Sequence, residues 1–372
     1  MFTLQESKQL TDFQNHIDNL SVDLPVCLFY DDDADGLCSA ISVQTLLEQK
    51  GIQVISYAKH EERKLFSLNF ISELVEKGVQ AIICVDFEPI SWNFLDESQI
   101  TIFPLPLFII DHHFNQTAIY DKYPRAIFVH PANSSTSADS SQYCCSKFVY
   151  DVCMSIEDIS TVEWKILPGI IGDMNIISWP EYVREVAKRN STPIGDELKS
   201  FFESPYGDFS ALTAFAAKKG AAAFEECFAH HYLSNTIQES NTLSSKYTAE
   251  KNYYDSMLQT WTKYESKLGE LRIIELPKRG GMGSALSSII SYLHPEDTFV
   301  FLQKDEKNGI YKMSLRSQQS PAHLGEVVRF VTAHFDKSSG GGHKPAAGAA
   351  CLIKDKEAFL DEIKTEISKS TA

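Results

Sequence analysis

Val26-Cys27-Leu28-Phe29-Tyr30-Asp31-Asp32-Asp33-Ala34-Asp35-Gly36 runs from an apolar strand straight into a turn crowded with carboxylates. Asp31, Asp33 and Asp35 alternate, so on an extended chain they project from one side. Three carboxylates on one side repel each other unless cations lie between them, and a hard divalent metal is the natural cation for such oxygens. The turn has a plainer reading too, since an Asp after a strand commonly caps the next helix.

Three later stretches repeat the pattern. Ala81-Ile82-Ile83-Cys84-Val85-Asp86 is an apolar run ending on an acid, and Leu107-Phe108-Ile109-Ile110-Asp111-His112-His113 ends on an acid and two imidazoles. Ile170-Ile171-Gly172-Asp173 reads as the end of a helix. In an open parallel sheet the carboxyl ends of neighbouring strands converge on one crevice. The pattern therefore predicts Asp31, Asp33, Asp35, Asp86, His112 and Asp173 at one rim. Oxygen ligands with an imidazole suit Mn²⁺ or Mg²⁺, less often Zn²⁺ or Fe²⁺. The donors suffice for two ions sharing a carboxylate, and such a pair, roughly 3.5–4 Å apart, clamps the oxygens of a phosphoryl group.

In order and spacing, Asp31-x-Asp33-Ala34-Asp35-Gly36, the strand-end Asp86, Asp111-His112-His113 and Gly172-Asp173 resemble motifs one to four of the DHH phosphoesterases. That family includes RecJ-like exonucleases, NrnA-like oligoribonucleases, cyclic-dinucleotide phosphodiesterases, exopolyphosphatases and manganese pyrophosphatases. The resemblance implies two Mn²⁺ ions, with Mg²⁺ as the alternative. Asp31, Asp33 and Asp86 would hold one; Asp35, Asp86, His112 and Asp173 would hold the other, with Asp86 bridging. It also implies that His113 faces the substrate phosphate and that Asp111 orients a neighbouring histidine, making Asp86, Asp111 and His113 the catalytic set. Asp31 stands where many NrnA-like members have His, which leans toward the RecJ side.

Ser338-Ser339-Gly340-Gly341-Gly342-His343-Lys344-Pro345-Ala346-Ala347-Gly348 is the second signal. Consecutive glycines let a backbone approach a ligand, and their amides can form an anion-binding nest; a flexible linker is the alternative. The segment resembles the GGGH motif of the DHH-associated domain. Gly280-Gly281-Met282-Gly283-Ser284 before an apolar helix at Leu286 to Leu293, and the strand Tyr311 to Ser317 carrying Arg316, agree with it. The resemblance implies substrate binding by Arg316, Gly341, Gly342 and His343. A guanidinium can grip phosphate with two bonds or stack on a base.

Strand runs at 26–30, 53–57, 81–85, 107–110 and 126–129 alternate with helical spacing at 4–20, 37–49 and 66–77, which predicts a mostly parallel α/β sheet. Pro131 to Ala138 reads as a polar loop in which Ser135 to Ser137 cap a helix over 139–153. Glu239 to Lys267 reads as one helix bridging two lobes. Lys59 to Lys64 reads as a solvated charge run, and His230-His231 as structural. The expected organisation is a parallel-sheet catalytic domain over 1–235, a helical linker over 236–268 and a smaller α/β DHH-associated domain over 269–372, with a cleft between the domains.

The 372 residues carry a net charge of −16, which argues against a broad basic face for duplex DNA. There is no twenty-residue apolar stretch, no signal-peptide layout and no CxxC among eight cysteines, so a cytoplasmic protein with reduced thiols and no membrane partner is expected. The expected activity is metal-dependent release of mononucleotides from short single-stranded oligonucleotides. Competing readings are a RecJ-type exonuclease on longer single-stranded DNA, for whose customary OB-like domain no residues remain after 372, a cyclic-dinucleotide phosphodiesterase and an exopolyphosphatase. A non-catalytic scaffold is disfavoured because every motif carboxylate is present. Related enzymes are often dimers, so a homodimer is also an expectation.

Overall fold

Five short apolar runs become β1 (Val26–Tyr30), β2 (Val54–Ala58), β3 (Ala81–Val85), β4 (Leu107–Ile110) and β5 (Ala126–Val129) of one sheet. Its order is β2-β1-β3-β4-β5 and every pairing is parallel. The computed structural model describes residues 3–371 apart from 61–63, 91–93, 97, 98, 101, 114, 124, 137–141, 278–281 and 343. Two compact units divide the chain, Met1–Tyr247 and Thr248–Ala372.

Parallel sheets are covered on both faces, and β1, β3, β4 and β5 are buried along their whole lengths. On one face Cys27, Phe29, Ile82, Cys84, Leu107 and Ile109 pack with Ile71 and Leu74 of the helix Leu68–Glu76. The helix Ala34–Gln49 is buried over most of its length against the helices Cys145–Met154 and Leu167–Gly172. All eight cysteines are buried free thiols. Among the described residues no helix is long and apolar enough to cross a membrane.

The register positions the site. Tyr30 lies beside Ala58 and Val85, Val85 beside Ile110, and Ile110 beside Val129. These are the last residues of all five strands, so the next residues form a row: Lys59, Asp31, Asp86, Asp111, His130. Backbone bonds extend the ladder into that row, from Lys59 to Tyr30 (2.7 Å), Asp86 to Ile110 (3.0 Å) and Asp111 to Val129 (3.3 Å). The chain leaves β1 for β2 and then returns past β1 to β3. The loops after β1 and β3 therefore part at a topological switch point, where an α/β sheet opens its crevice. Asp31 and Asp86 flank that point.

Two expectations of local structure are corrected. Pro131–Ser134 is a short helix capped by His130, and the next helix starts at Cys145 with Cys144 as its N-cap. Ser135 does not cap it, since it lies ten residues before Cys145, and its hydroxyl donates to the Pro131 carbonyl (2.8 Å); Ser137 lies outside the described residues. Nor is Glu239 to Lys267 one helix. Helices at Ile237–Asn241 and Thr248–Thr260 are separated by a 3₁₀ segment, and Glu265–Leu268 forms β6. β6 turns through Gly269 (φ 65°) into β7 (Leu271–Glu275), a tight hairpin that needs positive φ. Glu265 pairs there with Arg272 of β7 at 2.6 Å, linking the two strands.

The second unit adds β8 (Thr298–Asp305), β9 (Ile310–Ser317), β10 (Ser339–Gly342) and β11 (Ala346–Leu352) in the order β10-β11-β9-β8-β7-β6. Only β7 and β8 pair in parallel. Val300, Leu302, Met313 and Leu315 pack there with Val328 of the helix Leu324–Thr332 and with Phe359 and Ile363 of the helix Lys356–Thr371.

Candidate metal centre

The capping reading of the acidic turn holds. Asp33 caps the helix Ala34–Gln49, accepting from the Gly36 amide at 2.9 Å, and remains beside the other acids. Gly36 allows the turn to fold onto itself: a Cβ there would stand 2.5 Å from the Asp31 carbonyl oxygen and 2.7 Å from its nitrogen. Asp31 accepts from the Asp32 amide through Oδ1 (2.7 Å) and from Lys59 Nζ through Oδ2 (2.7 Å).

Asp35 is held from across the chain. Its two oxygens accept from the amides of Cys145 (2.8 Å) and Ser146 (2.7 Å), at the amino end of the helix Cys145–Met154. Helix amino termini favour carboxylates. The segment before that helix is braced, with Trp179 Nε1 donating to the Gln142 carbonyl (3.1 Å) and the Tyr143 hydroxyl donating to Asp151.

Asp86 has φ 63°, a left-handed conformation that Asp tolerates better than most residues. Its Oδ1 is buried with no hydrogen-bond partner among the described residues, as is His112 Nε2. The two atoms lie 3.6 Å apart, and His112 Nε2 is 3.8 Å from Asp35 Oδ2. Asp173 follows the helix Leu167–Gly172 and accepts from Asn175 Nδ2 at 2.6 Å. Donor atoms of Asp31, Asp33 and Asp86 lie within 4.8 Å of one another, as do those of Asp35, His112 and Asp173, and those of Asp86, Asp111, His112 and His113. Asp86 thus belongs to the first group and touches the second through His112.

The electrostatics have one pattern. Burial, then the Asp33 charge, pushes the Asp35 carboxyl up to about 7. Burial and then the Asp35 charge push Asp86 and Asp173 well above the carboxylate range. Burial, followed by the nearby His113, takes His112 down to about 3, leaving a neutral imidazole. Acids that cannot all ionise alone, beside a neutral imidazole with an unpartnered nitrogen, are a donor set that fits a divalent ion.

Asp111 and His113 form a separate pair. Asp111 Oδ1 accepts from the amides of His112 (2.8 Å) and His113 (3.4 Å) and from His113 Nδ1 (2.8 Å). Burial works against the Asp111 charge, but His113 outweighs it and holds the carboxyl below its ordinary value. Burial likewise opposes charge on His113, yet Asp111 raises it to about 9, so the ring is cationic at neutral pH.

In the second unit, Arg316 donates to Ser284 Oγ and Ser288 Oγ (3.4 Å each) and to the Leu315 carbonyl (3.0 Å), and pairs with no carboxylate among the described residues. Burial lowers its guanidinium to about 10. The expected glycine nest is corrected: Gly341 and Gly342 lie in β10, paired with Gly348 and Ala347 of β11. Gly342 is required by crowding, since a Cβ there would meet the Ala346 oxygen at 2.4 Å. His343 lies outside the described residues.

The sequence reading missed Lys59 and His130. Each directly follows an observed strand, as Asp31, Asp86 and Asp111 do, and for Lys59 the expected run at 53–57 ended one residue short of β2.

No curated protein gives a significant sequence match. Among solved structures the chain is similar to RecJ from Thermus thermophilus in complex with Mn²⁺, with TM-score 0.68, 16% identity, and coverage of 99% of this chain and 56% of that one. It therefore spans just over half of that protein. It is similar to an exonuclease RecJ bound to manganese (TM-score 0.66, 17% identity, 98% and 95% coverage). It is also similar to the DHH domain of a member of a family of ribosomal proteins (TM-score 0.71, 13% identity, 97% and 92% coverage). These identities speak to fold alone. The N-terminal domain of the DHH family matches residues 25–170, which hold the strand-end row, and the DHHA1 domain matches residues 274–369. With both domains matched in this order on this architecture, the chain belongs to the DHH phosphoesterase family.

Proposed function

We propose that the chain is a Mn²⁺-dependent phosphodiesterase releasing mononucleotides from short single-stranded oligonucleotides. The observation that most supports this is the pair of donor groups at the switch point, Asp31–Asp33–Asp86 and Asp35–His112–Asp173. In this reading each group would hold one divalent ion, with Asp86 placed to serve both. Two RecJ structures of similar fold contain manganese and a third contains Mg²⁺, which is the alternative ion. Ions bound there supply Lewis acidity to phosphoryl oxygens and a water acidic enough to attack near neutral pH.

The chain's own residues do the remaining work. His113, kept cationic by Asp111, donates to the non-bridging oxygen on which charge grows. Asp111 fixes the orientation of that ring by accepting a hydrogen bond from its Nδ1–H. Arg316, with no acid partner among the described residues, suits a phosphate or a base. A net charge of −16 agrees with a small substrate gripped at one end.

End-labelled single strands, from dinucleotides to chains of some two dozen residues, test this with Mn²⁺, Mg²⁺ or chelator. Stepwise mononucleotide release that requires the metal is expected. No cleavage of any oligonucleotide at any metal concentration would reject it.

A further inference from the structure

Lys59 is the first residue beyond β2, and the bond from its amide to the Tyr30 carbonyl (2.7 Å) sets it beside Asp31. Its Nζ lies 2.7 Å from Asp31 Oδ2, with the two side chains only 13% and 11% exposed. It also lies 5.7 Å over the ring of Phe87, the residue after Asp86. An ammonium thus already occupies a donor oxygen of the Asp31–Asp33–Asp86 group. Among the described residues no Lys or Arg pairs with Asp35 or Asp173.

We propose that Lys59 makes the two cation sites unequal, weakening the Asp31–Asp33–Asp86 site so that the Asp35–His112–Asp173 site fills first. This rests on the metal reading above. A divalent ion taking Asp31 either shares its carboxylate with a positive charge or displaces the ammonium. Sharing adds repulsion in a poorly solvated place, and displacement breaks a charge-assisted hydrogen bond. Both routes penalise only the first site. Lys59 acts through Asp31, so it is a positioning residue that grades the affinity of its neighbour. The first site then exchanges its ion readily, while the second retains one.

The test is calorimetric titration of the metal-stripped full chain with Mn²⁺, with free ion counted by electron paramagnetic resonance. Wild type should show a tight and a weak class. Lys59→Met should tighten the weak class by roughly tenfold or more, the scale on which partners of metal ligands change affinity, and leave the tight class unmoved. Lys59→Arg should restore the gap, and Lys59→Gln repeats the measurement if the Met variant does not fold. Equal sites in wild type, or a weak class unchanged or weaker in the neutral variants, would overturn the inference while leaving the metal reading intact. No Mn²⁺ uptake by wild type would instead sink the metal reading itself.

Discussion

Asp35 Oδ2 accepts a 2.8 Å hydrogen bond from the Cys145 amide, 110 positions along the chain. Cys145 opens its helix and Cys144 before it is extended (φ −61°, ψ 157°), so proline fits at 145 without disturbing the helix. Cys145→Pro should therefore fold yet remove one of the two amides that aim Asp35. Hydrogen bonds to charged groups contribute about 1.5–3 kcal/mol, so the tight Mn²⁺ class should weaken by roughly ten- to a hundredfold. Unchanged affinity by calorimetry would contradict this.

The left-handed backbone of Asp86 calls for separate treatment of shape and charge. Asp86→Asn keeps a residue that tolerates φ 63°, whereas Asp86→Ala does not. Both should lower turnover by more than about a hundredfold, since even the partners of ligands are worth roughly 10–100-fold. Metal analysis should show fewer than two ions per chain in both. Only the Ala variant should also lose thermal stability.

A methyl at position 36 would press on the backbone of Asp31, which cannot move aside as a flexible side-chain end would. Gly36→Ala should cost about 1–3 kcal/mol, the usual range for overpacking, read as a lower denaturant midpoint with an unchanged slope. Mn²⁺ affinity should fall as well, because the same shift displaces Asp31.

Stability and metal should be linked through pH. Asp35 rises from an ordinary 3.8 to about 7, so in the stripped protein its favourable contribution is complete below 3.8 and gone once pH passes 7. His113 rises from 6.5 to about 9, and its contribution likewise fades as pH climbs through 9. Below pH 6.5 the depressed His112 offsets part of this, since the unfolded imidazole binds a proton there that the folded one does not; stripped protein should therefore weaken most clearly from about pH 6.5 to about pH 9. Mn²⁺ displaces carboxyl protons, so its lift in melting temperature should grow over that interval. Thermal unfolding with chelator and with Mn²⁺ checks this, and a lift independent of pH would refute it.

Arg316→Ala should raise KM for oligonucleotides by roughly ten- to a hundredfold, the value of a lost charge-assisted contact, with a much smaller change in kcat. Steady-state kinetics on nucleotide and on polyphosphate separates the readings. An equal penalty on both would mean that the guanidinium reads phosphate alone.

The strands at 26–30, 81–85, 107–110 and 126–129 were legible because buried parallel strands read as unbroken apolar runs. The grouping of Asp31, Asp86 and His112 followed from the same reading, since a parallel sheet gathers its strand ends. Lys59 was hidden because β2 is an edge strand, half-buried over most of its length, and its charge looked like the start of a solvated run. Only the strand order reveals that Asp31 is its neighbour. β6 was obscured because Glu265 to Leu268 offers a single apolar side chain and no apolar run. Gly340 to Gly342 looked like a nest because composition does not distinguish a turn from a strand crowded by its partner.

Every native thiol is out of reach of solvent. A single cysteine introduced on an exposed helix face would then be the one site a maleimide dye attacks, with no background to engineer away. One such handle in each compact unit would make the chain its own molecular ruler, reporting by energy transfer whether nucleotide draws the two bodies together.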